Sequence, residues 1–202
     1  MYVYFQEWHA RLMIERSKAI KSPTVHYQLA GTKKIQQELA RPGAVEKYIS
    51  DNTAVNKIRS TFVGQHSLDL DGEGDKAVLL GINRPHDFVL KPQREGGGNN
   101  IYGEDIKDFL VKHQNSEERL GYILMERIYP WPQKNHLLKV GEDIRLCDIV
   151  NEIGIYGVYI GDSDTEYENK QVGHLMRSKT LGVDEGGIAA GFATLDTPLL
   201  VE

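Results

Sequence analysis

Apolar residues recur at helical spacing through the first third of the chain. Trp8, Leu12 and Ala19 stand among charged residues between positions 6 and 20, which predicts an opening amphipathic helix stopped by Pro23. Thr32 is placed to cap a second helix that carries Ile35 and Leu39 and ends before the Pro42-Gly43 turn. Asn52 or Thr53 starts a third, running through Val55, Ile58 and Phe62. The acidic, glycine-containing DLDGEGD at 69–75 reads as a loop. From there the pattern changes. FVLK at 88–91 is strand-like, and Glu104 and Asp105 favour the start of a helix whose apolar face is Ile106, Phe109 and Leu110. YILMERI at 122–128, GIYGVYIG at 154–161 and AAGFATL at 189–195 predict strands, with PWPQKNH at 130–136 as a connection. Helices first, then strands mixed with helices, predict an α+β fold.

Composition narrows the function classes. A chain of 202 residues with 40% apolar content can bury one sizeable core, which suggests one domain or slightly more. A net charge of −5, spread along the chain, argues against a nucleic-acid or anionic-membrane binder. MYVYFQEWHARL lacks the basic flank and apolar stretch of a signal peptide, and no run reaches the ~20 apolar residues of a membrane span. With Cys147 alone, an intramolecular disulfide is impossible, so a reducing compartment and a cytoplasmic location are expected. The setting of Cys147, IRLCDIV, points to burial. The seven histidines are scattered and lack a zinc spacing such as HExxH.

The chemistry concentrates in FVLKPQREGGGNNIY, residues 88–102. Lys91 offers a compact positive charge, and glycines let backbone N–H groups close around phosphate oxygens. Glu95 and Asn100 are hard oxygen donors of the kind Mg²⁺ takes while sharing the ion with phosphates and water. Three glycines alone would be an ordinary surface turn; lysine, carboxylate and carboxamide in one loop after an apolar run point to polyphosphate binding. Lys33 lies in a predicted first helical turn, where the dipole disfavours a cation unless an anion is bound, although a solvated lysine is the plainer alternative. Met125 and Ile128 could offer apolar faces to a purine whose edge is read by backbone groups, or could be core. Alternation turns Glu152 away from Ile153 and Ile155. Arg177 has the planar fork that grips a carboxylate, and Lys179 shares its face in an extended segment. DEGGIAAG at 184–191 supplies small residues for a closing loop. No Walker lysine follows GGGNN, HRD and DFG are absent, and no GxGxxG leaves the strand, so P-loop, kinase and Rossmann readings fit worse.

KPQREGGGNN at 91–100 resembles the glycine-rich loop of the eukaryotic glutathione synthetases, which are ATP-grasp ligases. QLAGTKKIQQEL at 28–39, YILMERI, NEIGIYGVYI at 151–160, and HLMRSK with GGIAAG at 174–191 follow in the same order as in that family. The resemblance runs from about Trp8 to the end of the chain and implies a C-terminal portion, 1–202, of an enzyme about twice as long. It implies an ATP-grasp fold, with mixed or antiparallel sheets flanked by helices and incomplete relative to the full enzyme. It also implies the cofactors ATP and Mg²⁺. The ATP contacts carried over are Lys33 rather than Lys34, then Lys91, Pro92, Gln93, Arg94, Glu95, Gly96, Gly97, Gly98, Asn99, Asn100, Tyr102, Met125, Glu126, Arg127, Ile128, Glu152, Lys179 and Glu185. Glu95 is the metal ligand, Arg177, Ile188 and Ala189 touch the peptide substrate, and Arg177 and Lys91 are the catalytic pair. The implied reaction joins γ-glutamylcysteine to glycine through an acylphosphate, in an enzyme that is a homodimer and needs neither nucleic acid nor membrane. The competing reading is a catalytically silent ATP-binding fragment or interaction protein that keeps only this half.

Overall fold

The computed structural model describes residues 5–94, 98–138, 141, 143–188 and 191–199. These form two compact units, one drawn from the chain up to Arg127, the other from Ile128 onward together with Gly98. All described strand pairs are antiparallel, in two four-stranded sheets.

In the first unit, α1 (Phe5–Arg16) ends where the Ser17 hydroxyl bonds the Ile14 carbonyl at 2.7 Å, well before Pro23 and without Ala19. It buries none of its residues, Trp8 and Leu12 included. Next, α2 (Val25–Ala30) is capped by Thr24, whose side chain accepts from the Tyr27 N–H. The helix α3 (Lys33–Ala40) lies where predicted, but Thr32 does not cap it with its side chain. Asp51 caps α4 (Asn52–Arg59), which buries Val55 and stops before Phe62.

The loop expected at 69–75 is half helix. Asp71 accepts from the Gly74 N–H at 2.8 Å and starts α5 (Gly72–Asn83), and Glu73 and Asp75 in the first turn suit the helix dipole. The chain folds back so tightly that a Cβ on Gly74 would lie 1.8 Å from the Asp69 carbonyl oxygen, whereas one on Gly72 would meet nothing within 4 Å. An open helical glycine gains up to about 1 kcal/mol on becoming alanine, while overpacking costs about 1–3 kcal/mol. We therefore expect Gly74→Ala to lower the urea midpoint and Gly72→Ala to hold or raise it. Equal shifts of the same sign would contradict the close approach at Gly74.

The first sheet orders its strands β1 (Gln65–Ser67), β4 (Tyr122–Glu126), β2 (Phe88–Pro92) and β3 (Ile101–Tyr102). On one face Phe88, Leu90 and Leu124 pack against Ala77 and Val78 of α5 and against Ile106 and Leu110 of α6 (Glu104–His113). Leu90, Ile106, Leu110 and Leu124 are fully buried, each contributing about 1.5–3 kcal/mol. The apolar face predicted for α6 is the one that meets the sheet.

In the second unit, β5 (Gln133–Leu137), β6 (Arg145–Gly161), β7 (Glu166–Thr180) and β8 (Thr194–Asp196) lie side by side in chain order. The segment expected as a connection at 130–136 thus largely becomes β5, its Asn135 directly opposite Cys147. Polar QKNH has no alternation to read, and pairing with β6 makes the strand. Cys147 is only half-buried. The strand expected at 189–195 is regular only from Thr194; Ala189 and Ala190 lie outside the described residues. Asp162 closes the β6–β7 hairpin by accepting from the Asp164 and Thr165 N–H groups, and these bonds together with that from the Tyr167 hydroxyl hold its carboxyl below the usual range. Among the described residues no helix is long and apolar enough to cross a membrane.

Candidate functional site

The face of the first sheet opposite α5 and α6 carries the loop lysine, with α3 alongside β1 and β4. Register pairs Lys91 with Ile123, and Val89 with both Met125 and Tyr102, so Lys91, Met125 and Tyr102 share this face. Ser67 and Gln65 extend it on β1, opposite Ile123 and Met125. Alternation puts Glu126 on the other side. There its carboxylate accepts from the Gly64 N–H at 2.9 Å, and its own N–H bonds Gly64 O at 2.8 Å. The Arg127 N–H goes to Asp87 O, and its guanidinium lies 5.9 Å from the centre of the Tyr102 ring. With these amides committed, the backbone of 126–127 can offer a ligand only carbonyl oxygens. Ile128 is exposed and begins the second unit.

After Lys91 the chain passes buried Pro92, then Gln93 and exposed Arg94. Glu95, Gly96 and Gly97 lie outside the described residues. Gly98 has φ +83°, in the left-handed region that glycine enters without strain, which accounts for at least one glycine of the run. Asn99 and Asn100 are half-buried, and the Asn100 amide nitrogen donates to the Tyr102 hydroxyl at 3.1 Å.

The two lysines that open α3 differ. The Lys34 ammonium donates to Ser67 Oγ at 2.8 Å and Asp69 Oδ2 at 2.7 Å. Bonds from Lys34 and then Ser67 hold the Asp69 carboxyl below the ordinary aspartate range. Among the described residues Lys33 has no ion-pair partner, and it is half-buried in the first turn. Behind Asp69 stands Arg119, which no motif or spacing in the sequence singles out. Its guanidinium is 1% exposed and donates to Asp69 O at 2.6 Å, to Asp75 Oδ1 at 2.7 Å, and to Gln114 O.

In the second unit Glu152 of β6 stands directly opposite Arg177 of β7, and the two form an ion pair. Val150 faces Lys179 on the same side, so Arg177, Lys179 and Glu152 share one face. Lys179 Nζ donates to Asp184 O at 2.8 Å, and Gly186 passes close enough that its Cβ would lie 3.7 Å from Glu152 Oε2. The loop with Glu185 is therefore folded beside Glu152 and Lys179. Beyond it Phe192 N–H bonds Gly187 O and Gly191 N–H bonds Ile188 O, closing a tight turn; Ala189 lies outside the described residues. On the opposite face Ser178 is fully buried, 2.6 Å from Asp196 Oδ2 and 2.7 Å from Asn151 Oδ1.

Among the described residues no group of three or more His, Cys, Asp or Glu is arranged to hold a metal.

The antiparallel sheets, the helices packed on one of them and the lysine-glycine segment leaving a strand define an α+β protein of ATP-grasp type. Its fold matches the apo structure of a glutathione synthetase-like effector from Globodera pallida, with a TM-score of 0.69 and 27% identity, over 95% of this chain and 39% of that one. A family model described as eukaryotic glutathione synthase, ATP binding domain, matches residues 6–200, and the chain belongs to that family. The glutathione synthetase of Xenopus laevis is 52% identical over 197 residues, 97% of this chain and 42% of that protein. The human glutathione synthetase is 50% identical over 194 residues, 96% of this chain and 41% of its own length. The chain thus spans about two fifths of the length of these relatives.

Proposed function

We propose that this chain is the ATP-binding, C-terminal portion of a cytoplasmic glutathione synthetase that joins γ-glutamylcysteine to glycine while ATP becomes ADP and phosphate. One observation carries the reading. Lys91, Met125 and Tyr102 lie on one sheet face, opposite the face that meets α5 and α6, and the N-terminus of α3 is bonded to the segment that follows Lys91. Such a face suits a nucleotide, with a cation for phosphates and a thioether and ring for an apolar base.

In this reading Lys91 and Lys33 bind phosphate oxygens, and Met125 packs on adenine while carbonyls of Glu126 and Arg127 read its amino edge. Glu95 would hold Mg²⁺ together with phosphate oxygens, and the ion would neutralise phosphate charge. The cysteinyl carboxylate attacks the γ-phosphorus; an O–P bond forms and the bond to ADP breaks. The glycine amine then attacks the acyl carbon, the C–N bond forms, phosphate leaves and the amine proton passes to solvent. Two anions must meet in the first step, so Lys33 and Lys91 act by charge stabilisation and alignment, and the resemblance gives Lys179 an ATP contact as well. Arg177 holds the peptide substrate through its fork, kept in orientation by Glu152 opposite. Glu185 contacts ATP, and Ile188 and Ala189 contact the peptide substrate, as the family resemblance implies. The full enzyme acts as a homodimer.

The direct test supplies the full-length protein with ATP, Mg²⁺, γ-glutamylcysteine and glycine and measures ADP and glutathione. Equimolar formation of both supports the reading; ADP without glutathione, or neither, refutes it. Arg177→Lys keeps the charge and loses the fork. We expect it to raise KM for γ-glutamylcysteine by about tenfold or more and to change KM for ATP by much less. Equal changes in both would contradict the role given to Arg177.

A further inference from the structure

The helix α3 is capped from a distance. Thr32, at its N-cap position, turns its hydroxyl back to Leu29 O at 2.8 Å and makes no side-chain cap. The acceptor comes from 59 residues on: Gln93 Oε1 takes the Lys34 N–H at 3.0 Å. The Gln93 N–H in turn bonds Gly121 O at 3.1 Å, just ahead of β4. One residue therefore joins the start of α3, the end of β2 and the approach to β4. A helix N–H in the first turn needs an outside acceptor, which decides that the oxygen end of the carboxamide faces α3. The nitrogen end, Nε2, is buried and has no hydrogen-bond partner among the described residues. The same helix end is fixed again by Lys34 on Ser67 and Asp69, with Arg119 holding the Asp69 carbonyl.

This arrangement matters for its neighbours. Lys33 precedes the capped amide by one residue, and Lys91 precedes the capping residue by two. We propose that Gln93 is a positioning residue, which caps α3 across the sheet and so holds Lys33 in register with Lys91 for the phosphates. The proposal rests on the reading of those lysines as phosphate contacts. It replaces the direct ATP contact that family resemblance implies for Gln93.

The test uses the full-length protein with Gln93→Glu, Gln93→Met and Gln93→Asn. Glutamate keeps an acceptor and suits the helix dipole, methionine removes both polar ends, and asparagine keeps them but falls a methylene short. Amide hydrogen exchange at residues 33–36 without nucleotide reads the cap, and calorimetry reads Mg-ATP affinity. We expect Gln93→Glu to stay within about twofold of the parent in both. Gln93→Met and Gln93→Asn should exchange about fivefold faster at 33–36 and bind ATP about fivefold more weakly. If Gln93→Met does not fold, Gln93→Asn gives the same reading. Unchanged exchange in the asparagine variant overturns the cap. Lost affinity in Gln93→Glu with exchange still slow would instead make Gln93 a nucleotide contact. Lys91→Ala in parallel isolates the underlying reading: if it leaves affinity unchanged, the phosphate assignment fails while the exchange data still judge the cap.

Discussion

Lys91→Ala is expected to weaken Mg-ATP binding by about 10–100-fold while leaving the far-UV circular dichroism spectrum of the full-length protein unchanged. The magnitude follows from a charge-assisted hydrogen bond, which contributes about 1.5–3 kcal/mol. The structural reason for a clean result is the position of Lys91. It stands half-buried on β2 opposite Ile123, on the face that does not meet α5 and α6, while Leu90 beside it points to those helices and is fully buried. Removing the ammonium leaves the packing of Leu90, Leu124 and the two helices in place. Calorimetric titration with Mg-ATP checks the affinity, and the spectrum checks the fold. Unchanged affinity in a folded variant would remove Lys91 from any nucleotide site. A melted spectrum would show that the strand needs the lysine stem for its own stability.

Much of the proposed site is written in local sequence signals. The run from Lys91 through the glycines is contiguous, and strand alternation alone places Arg177 and Lys179 on one face. The start of α6 is equally readable from Glu104 and Asp105. What the sequence conceals depends mostly on partners far along the chain. DLDGEGD has the composition of a loop, yet Asp71 with Glu73 and Asp75 ahead of KAVLL is also a helix start, so here two local signals compete and the cap wins. The strand at Gln133–Leu137 exists because β6 pairs with it. The difference between Lys33 and Lys34 is invisible to spacing. It emerges from Ser67 and Asp69, more than thirty positions away, which engage Lys34. Arg119 carries no sequence signal because only folding places its guanidinium between Asp69, Asp75 and Gln114.

The 202 residues purified alone are expected to make no glutathione and to bind Mg-ATP weakly at best. The relatives that make up this family are more than twice as long as the matched region, so any ligand contacts supplied by their remaining length are missing from the isolated chain. Its surface supports the same expectation. Phe5, Trp8 and Met13 are exposed on α1, and Ile153 and Ile155 are exposed on one face of β6, and exposed apolar groups of this kind favour association. We expect the isolated chain to bind a hydrophobic dye and to self-associate, and the full-length protein to do neither. ADP and glutathione formation are compared for the two forms under identical ATP, Mg²⁺, γ-glutamylcysteine and glycine. Turnover by the full-length protein alone fits the synthetase reading and makes this chain one part of its active site. Robust turnover by the short chain would show that it carries the whole site. Silence from both, with nucleotide still bound, would favour a catalytically inactive ATP-binding protein over a ligase.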